Sequence, residues 1–131
     1  MEKTKILIIE DDEAIADLLS YGLTSEGFET CTVNNGSSGM RKLDQFKPDL
    51  LLLDWMLPDC SGLDICKKVT ESCNIPILMI TAKSDITDKI LGLEFGADDY
   101  ITKPFDLREV VARIRTDRKS TRLNSSHTLA S

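Results

Sequence analysis

The amino-acid sequence predicts an α/β protein in which five parallel strands and five helices alternate to form one doubly wound sheet. Short apolar runs recur along the chain, and the four leucines at 50–53 lie between Pro48 and Pro58. Uninterrupted runs of this length are typical of strands that are buried on both faces. Segments with apolar residues at helical spacing separate the runs. This strict alternation favours right-handed strand–helix–strand crossovers.

Each element is predicted from its own pattern. Short apolar runs, of which the second is the weakest, predict strands at 5–9, 29–33, 50–53, 76–80 and 99–102. Apolar stripes at helical spacing predict helices at 13–25, 36–46, 62–71, 85–95 and 106–115. The stripe of the fourth helix consists of Ile86, Ile90, Leu91 and Leu93. Gly27 and Gly96 follow the first and fourth helices, where glycine commonly ends a helix.

Length and composition are those of a single globular domain. The chain has 131 residues, of which 41% are hydrophobic and 29% charged. No apolar run approaches the ~20 residues needed to span a bilayer, and the N-terminus lacks a signal-peptide pattern. We therefore expect a cytoplasmic protein with no membrane partner. The four cysteines form no CxxC pair, which favours free thiols over disulfides or a zinc site.

The net charge of -6 is unevenly distributed. Residues 118–131 contain three basic and no acidic residues, so residues 1–117 carry 13 basic and 22 acidic side chains, a balance of -9. This balance argues against direct nucleic-acid binding and suits a cation site. We expect a domain at 1–117 and a tail of different origin at 118–131, for which a cloning remnant is one interpretation. Some extension of the last helix should precede a mobile or loosely packed end.

Acidic residues follow two strands that a doubly wound sheet places side by side. Glu10 and Asp11 follow the first strand, and Asp54 follows the third. Three converging carboxylates repel one another unless a cation or proton intervenes, and oxygen ligands favour a hard ion such as Mg²⁺. On its own, Asp54 is more simply interpreted as a turn former or a helix cap. Asp12 and Glu13 have the simpler role of opening the next helix.

Two further strand ends add a hydroxyl from Thr81 and an ammonium from Lys103. Either residue alone is weak evidence, because Thr81 could cap a helix and Lys103 could be solvated. Carboxylates, a metal ion, a hydroxyl and a lysine around one crevice are the parts of a phosphoryl-transfer site with a carboxylate nucleophile. Because these groups coincide at four strand ends, the sequence predicts a phosphoryl-transfer site there.

Four ordered motifs contain these residues: IIEDD at 8–12, LDWMLP at 53–58, ITA at 80–82 and GADDYITKPF at 96–105. With them, over about residues 3–116, the sequence resembles the receiver domains of two-component response regulators. Within that family it is most similar to receivers of winged-helix transcription factors of the phosphate and osmolarity regulator type. The resemblance implies a flavodoxin-like (βα)5 fold with strand order 2-1-3-4-5.

The resemblance also implies the chemistry of the site. Asp54 would accept a phosphoryl group from a phosphohistidine on a sensor histidine kinase. Asp11 and Asp54 would bind Mg²⁺, with Mn²⁺ as an alternative ion. The backbone carbonyl of Met56 would complete the metal site, and Glu10 would act through water.

A conformational switch is implied at the same crevice. Thr81 and Lys103 would hold the phosphoryl oxygens, and Tyr100 would turn inward as Thr81 moves toward the phosphate. The Lys103–Pro104 peptide bond would be cis. Two packings that differ by roughly a few kcal/mol could then be rebalanced by the covalent mark.

Interleaved charges lie on the fourth helix, the last strand and the last helix, at 85–115. The resemblance implies a phosphorylation-favoured dimer through this surface, using Lys89, Glu94, Asp98, Asp99, Glu109 and Arg113. Pairs such as Lys89 with Glu109 would cross a two-fold axis. A solvated surface explains the same charges equally well. The chain lacks the DNA-binding domain expected downstream, so we expect it to regulate transcription only through that absent domain.

Three other functions are open. An aspartyl phosphatase needs a second acid two residues after its nucleophile, where this chain has Met56. A flavin or nucleotide carrier needs a phosphate loop after the first strand, where the acids at 10–13 would repel phosphate. A phosphorylation-independent adaptor would keep the fold around a vestigial site. We expect no enzyme of the usual kind, since a receiver catalyses only its own phosphorylation and dephosphorylation at Asp54.

Overall fold

A computed structural model describes residues 2–83 and 85–130, with the side chains of the last helix described to residue 118. Its five strands are β1 (Lys5–Ile9), β2 (Glu29–Val33), β3 (Leu50–Leu53), β4 (Ile77–Thr81) and β5 (Asp99–Thr102). They form one parallel sheet in the order β2-β1-β3-β4-β5. The predicted fold class and strand order are confirmed.

Five helices alternate with the strands: α1 (Glu13–Ser25), α2 (Gly36–Phe46), α3 (Gly62–Ser72), α4 (Ile86–Glu94) and α5 (Leu107–Ala130). The largest difference from the predicted boundaries is the end of α5, because the sequence predicts a helix to residue 115 with only some extension beyond it. No glycine or proline occurs between Leu107 and Ala130, so the sequence contains no strong helix terminator there. The described backbone of the tail is helical as far as Ala130, whereas the packing of its side chains beyond residue 118 lies outside the described part of the chain.

Smaller boundary differences follow from capping and from proline chemistry. β4 begins after Pro76, which has no N–H for the sheet ladder, and it includes Thr81. Asp85 precedes α4 as its N-cap, since its side chain accepts a hydrogen bond from Thr87 N. Asp106 plays the same part before α5, accepting from Arg108 N at 2.8 Å.

Alternate residues of the strands supply two core layers, one on each face of the sheet. Ile6 and Ile8 of β1 belong to the layer covered by α1 and α5, whereas Leu7 and Ile9 belong to the layer covered by α2 and α3. All four leucines of β3 (Leu50–Leu53) are at most 1% exposed. Each such side chain contributes about 1.5–3 kcal/mol by burial, so the two layers fix the strand on which the site depends.

The apolar stripe predicted for α4 does not face the core. Ile86, Ile90 and Leu93 are 73%, 51% and 47% exposed, and Leu91 is partly buried. The reason is geometric: Gly92 is buried against the Tyr100 ring, so α4 meets the sheet through a narrow strip around residues 91 and 92. Among the described helices, none combines the length and apolar character required to cross a membrane.

Candidate functional site

Three carboxylates meet where β1 and β3 end. These strands are neighbours, and Ile9 pairs with Leu53, so the residues that follow them lie side by side. Carboxylate oxygens of Glu10, Asp11 and Asp54 all lie within 4.8 Å of one another. Glu10 and Asp54 are only 3% and 6% exposed, and Asp11 is exposed. The structure thus brings together the three acids that the sequence placed at this edge.

Lys103 provides the cation that faces two of these acids. Its ammonium lies 2.7 Å from Glu10 Oε1 and 3.0 Å from Asp54 Oδ2. Burial alone would lower the pKa of Lys103, but its bonds to Glu10 and Asp54 outweigh that effect and raise the pKa. Burial raises the pKa of Glu10 to about 7 despite the opposing bond to Lys103. Burial thus disfavours the charged form of Glu10 even with the Lys103 ammonium beside it.

The donor set fits a hard divalent cation. Two nearly buried carboxylates and an exposed one offer oxygen atoms only, which is the ligand type that Mg²⁺ prefers. Met56 lies at the rim of the same crevice, and its N–H donates to Asp54 Oδ1 at 3.2 Å. Asp54 is thus a turn former, as one interpretation of the sequence proposed, and also a partner of Lys103.

Thr81 and Tyr100 are linked through one loop residue. Thr81 is buried, and its hydroxyl accepts a long hydrogen bond of 3.4 Å from Lys83 N. The Tyr100 hydroxyl donates to the carbonyl of Lys83 at 2.6 Å. Burial, together with the charges of Asp88 and Asp54, raises the pKa of Tyr100 to about 12, so the hydroxyl remains a donor at neutral pH. The β4–α4 loop is thereby tied to the aromatic ring.

Trp55 joins the same cluster, a contact that the sequence did not predict. Its ring meets the Tyr100 ring edge to face at a centroid distance of 6.2 Å. The Lys83 ammonium lies 5.2 Å from the centroid of the Trp55 ring. The available signal was an aromatic residue next to Asp54 and a lysine two residues after Thr81. The two aromatic rings therefore connect the crevice to the β4–α4 loop.

Asp12 and Glu13 have the structural role that was expected of them. Asp12 is the N-cap of α1, and its carboxylate accepts from the N–H groups of Ala14 and Ile15. Glu13 lies in the first turn of α1, where a negative charge is favourable. Neither belongs to the carboxylate cluster.

The charges predicted for a dimer surface make contacts within the chain. Arg113 binds Asp99 at 3.0 Å and lies 3.9 Å from Glu109. Asp98 faces the other way, accepting from Ile77 N at 2.8 Å where β4 begins. The Lys103–Pro104 peptide bond is cis.

These observations define a doubly wound α/β domain whose crevice follows acids at the ends of β1 and β3, a threonine that ends β4 and a lysine after β5. Comparison with family models matches residues 6–115 to the response regulator receiver domain. The chain belongs to this family.

Individual relatives agree with the family match. Sensory transduction protein RegX3 of Mycobacterium tuberculosis is 46% identical over 112 residues, which cover 86% of this chain and 49% of RegX3. DNA-binding response regulator MtrA of Mycolicibacterium smegmatis is 44% identical over 113 residues, which cover 86% of this chain and 50% of MtrA. The chain thus spans about half the length of these relatives.

Solved structures agree on the fold. The BeF3-activated N-terminal receiver domain of Klebsiella pneumoniae RstA superposes with a TM-score of 0.85 at 31% identity, covering 88% of this chain and 98% of that chain. A CheY-like response regulator receiver domain protein of Methanospirillum hungatei superposes with a TM-score of 0.87 at 27% identity, covering 94% and 99%.

Proposed function

We propose that this receiver domain accepts a phosphoryl group on Asp54 from a phosphohistidine of a sensor histidine kinase. The observation that carries the proposal is the position of Asp54: a nearly buried carboxylate that is bonded to Lys103 and clustered with Glu10 and Asp11. An Asp54 oxygen attacks phosphorus as the P–N bond to the imidazole breaks. The electron pair of that bond remains on the ring nitrogen, and an acyl phosphate forms on Asp54.

A divalent cation is part of this proposal. Asp11 and Asp54 would hold Mg²⁺, or Mn²⁺, with the Met56 carbonyl and with Glu10 acting through water; the ion would neutralise charge on the phosphoryl oxygens. The convergence of Glu10, Asp11 and Asp54, whose carboxylate oxygens lie within 4.8 Å of one another, supports a site for such an ion.

Lys103 and Thr81 respond to the new charge. Phosphorylation adds about -1.5 to -2 charges and three acceptor oxygens beside Asp54. The ammonium of Lys103 lies within 3.0 Å of Asp54 Oδ2 and can transfer its hydrogen bond to a phosphoryl oxygen. The Thr81 hydroxyl makes only a 3.4 Å contact and is free to donate in the same direction.

The switch is the packing of Tyr100 against Trp55 and the β4–α4 loop. Movement of Thr81 shifts Lys83, whose carbonyl accepts the Tyr100 hydroxyl bond. Because the ring is held by this bond and by an edge-to-face contact with Trp55, a shift of the loop changes the preferred position of Tyr100. The signal thereby leaves the crevice toward α4 and β5.

Acetyl phosphate with Mg²⁺ tests the phosphoacceptor. Mass spectrometry should show one added phosphoryl group on the wild-type protein and none on Asp54→Asn. Asp44→Asn, which alters an exposed acid on α2, should be phosphorylated like wild type. A wild-type protein that gains no mass with acetyl phosphate and Mg²⁺ would contradict the proposal and favour a phosphorylation-independent adaptor.

We further propose that phosphorylation favours a homodimer through α4, β5 and α5. The exposed apolar side chains Ile86, Ile90 and Leu93 support this assignment, because unpartnered apolar groups favour an interface. The charged residues Arg113, Asp99 and Glu109 lie on β5 and α5 and would exchange some intrachain pairs for pairs with the second copy. Regulation of transcription would then require a DNA-binding domain outside this sequence, a proposal supported by the relative named as a DNA-binding response regulator.

Sedimentation with beryllofluoride and Mg²⁺ tests the dimer. Wild type should sediment as a dimer only when both are present, and Ile90→Ser should remain monomeric. Leu18→Ser is the matched control, since Leu18 is also 51% exposed but lies on α1. A wild-type protein that stays monomeric under these conditions would rule out the proposed dimer.

A further inference from the structure

The loop between β3 and α3 is fastened at its tip to the start of α2. Asp59 accepts one hydrogen bond on each carboxylate oxygen, from Gly36 N at 2.7 Å and from Ser37 N at 2.9 Å. These N–H groups belong to the first turn of α2, where amides have no partner within the helix. The bond from Gly36, with that from Ser37, lowers the pKa of Asp59, so the carboxylate is charged at neutral pH. Asp59 thus joins two elements that are distant in sequence.

The tip of this loop also approaches α2 too closely for a side chain at position 36. A Cβ atom added to Gly36 would overlap the sulfur of Cys60 and would lie 3.3 Å from Asp59 Oδ1. The α2 N-terminus already has a capping residue of its own, because Asn35 accepts from Ser38 N at 2.8 Å. Because α2 is already capped by Asn35, the bonds from Asp59 do more than cap the helix: they link the loop to it.

The same loop is closed at its base beside Asp54. Met56 forms an antiparallel bridge with Ser61, and Gly62 N donates to the carbonyl of Trp55 at 2.6 Å. At the site, Met56 N donates to Asp54 Oδ1. The loop is therefore a short closed unit with one end in the crevice and the other on α2.

We propose that Asp59 is a positioning residue for the divalent cation. By holding the loop tip on α2, it sets the position of the Met56 backbone relative to Asp54. This inference rests on the proposed function, in which the Met56 carbonyl is a metal ligand. Mg²⁺ requires near-octahedral geometry at short distances, whereas Ca²⁺ accepts flexible coordination. A loosened loop should therefore weaken Mg²⁺ binding more than Ca²⁺ binding.

Fluorescence of Trp55, the single tryptophan, provides a readout that needs no phosphorylation. Titrations of Mg²⁺ and of Ca²⁺ should show that Asp59→Ala raises the Mg²⁺ Kd about three- to tenfold, below the 10–100-fold typical of groups that bond directly to a metal ligand. The Ca²⁺ Kd should rise less than about twofold. Asp59→Asn keeps one acceptor oxygen and should give an intermediate Mg²⁺ Kd. Asp64→Ala is the control, because Asp64 is an exposed acid in the first turn of α3.

The outcomes separate this inference from the proposed function. A wild-type protein that binds no Mg²⁺ would contradict the proposed metal site itself. A wild-type protein that binds Mg²⁺, with an unchanged Mg²⁺ Kd in Asp59→Ala, would overturn only the role of Asp59. Equal weakening of Mg²⁺ and Ca²⁺ together with a lower Tm would also overturn it, since that pattern marks general destabilisation. If Asp59→Ala does not fold, Asp59→Asn provides the test. Its Mg²⁺ Kd should again rise more than its Ca²⁺ Kd, but by a smaller factor.

Discussion

Lys103 and Asp54 are joined across the crevice at 3.0 Å, although β4 lies between the strands that they follow. The same ammonium is 2.7 Å from Glu10 Oε1. Because Asp54 and Glu10 are nearly buried, one cation compensates two charges that water barely solvates. Removing one member of a buried ion pair is costly, since the remaining charge has no compensation. Lys103 therefore stabilises the metal-free site as well as serving the proposed chemistry.

We expect Lys103→Met to lower the free energy of unfolding of the metal-free protein by about 3 kcal/mol. Mg²⁺ should stabilise the variant more than wild type, because the ion supplies the missing positive charge to the folded state. Urea unfolding in EDTA and in excess Mg²⁺ measures both effects. Arg108→Met is the control, because Arg108 is 91% exposed in its pair with Asp106 and such pairs contribute under about 1 kcal/mol. Equal losses in the two variants would contradict this account of Lys103.

Tyr100→Phe isolates the hydroxyl bond to the Lys83 carbonyl. The ring and its edge-to-face contact with Trp55 remain, so we expect a loss of about 1 kcal/mol in unfolding free energy. The fluorescence of Trp55 should also change, because the β4–α4 loop that carries the Lys83 ammonium is released. Tyr21→Phe serves as the control, since Tyr21 is 79% exposed. Unaltered stability and fluorescence in Tyr100→Phe would show that the bond does not hold the loop.

Elements with a clear apolar pattern could be predicted from the sequence, and so could their topology. The leucines of β3 predicted a buried strand. The carboxylates after β1 and β3 could then be placed together, because their positions at the strand ends follow from the local pattern. The pattern correctly predicted the α4 helix, but a stripe at helical spacing does not reveal how much of a helix meets the sheet. Ile86 and Ile90 are exposed for that reason.

Contacts between distant side chains were beyond the reach of the sequence. Lys83 lies over the Trp55 ring, and Asp59 holds the amides of Gly36 and Ser37, yet neither contact has a periodic signal. Such contacts depend on how loops fold over one another after the sheet has formed. The acidic and ammonium groups that meet at the crevice could be located because each lies within two residues of the end of a strand.

Gly62→Ala should destabilise the protein through the backbone that follows Asp54. A Cβ atom at position 62 would overlap the Asp54 carbonyl and would lie 2.7 Å from Trp55 Cα, and neither is a flexible side-chain end. We expect a loss of more than about 2 kcal/mol in unfolding free energy, together with weaker Mg²⁺ binding in a Trp55 titration.

Gly92→Ala is the matched control for that substitution. Its Cβ would lie 3.3 Å from the Tyr100 ring. In a helix interior, alanine is more stable than glycine by up to about 1 kcal/mol. The two effects oppose each other, so we expect a change within about 1 kcal/mol. A Gly62→Ala protein as stable as Gly92→Ala would show that the loop adjusts without cost.

Asp117 should make stability depend on pH. It is 7% exposed, and its Oδ2 atom has no hydrogen-bond partner among the described residues. Burial, with the nearby charge of Asp99, raises the pKa of Asp117 from 3.8 to about 7. The folded protein therefore holds a proton that the unfolded chain releases above pH 3.8. The contribution of this proton to the free energy of unfolding is fully present below pH 3.8, falls as pH rises, and is lost above about pH 7.

Asp117→Asn removes this titration while keeping the shape of the side chain. Relative to wild type, its unfolding free energy should rise between pH 4 and pH 7 and then level off, with a final difference of up to about 4 kcal/mol. Urea unfolding across that range measures the difference. Asp49→Asn, at an exposed carboxylate that accepts from Lys5 N, controls for the general loss of one negative charge. A difference that stays constant with pH would mean that the proton on Asp117 is not retained on folding. A difference shared by Asp49→Asn would assign the effect to net charge, because of these two residues Asp117 alone combines burial with an unpartnered oxygen beside another acid.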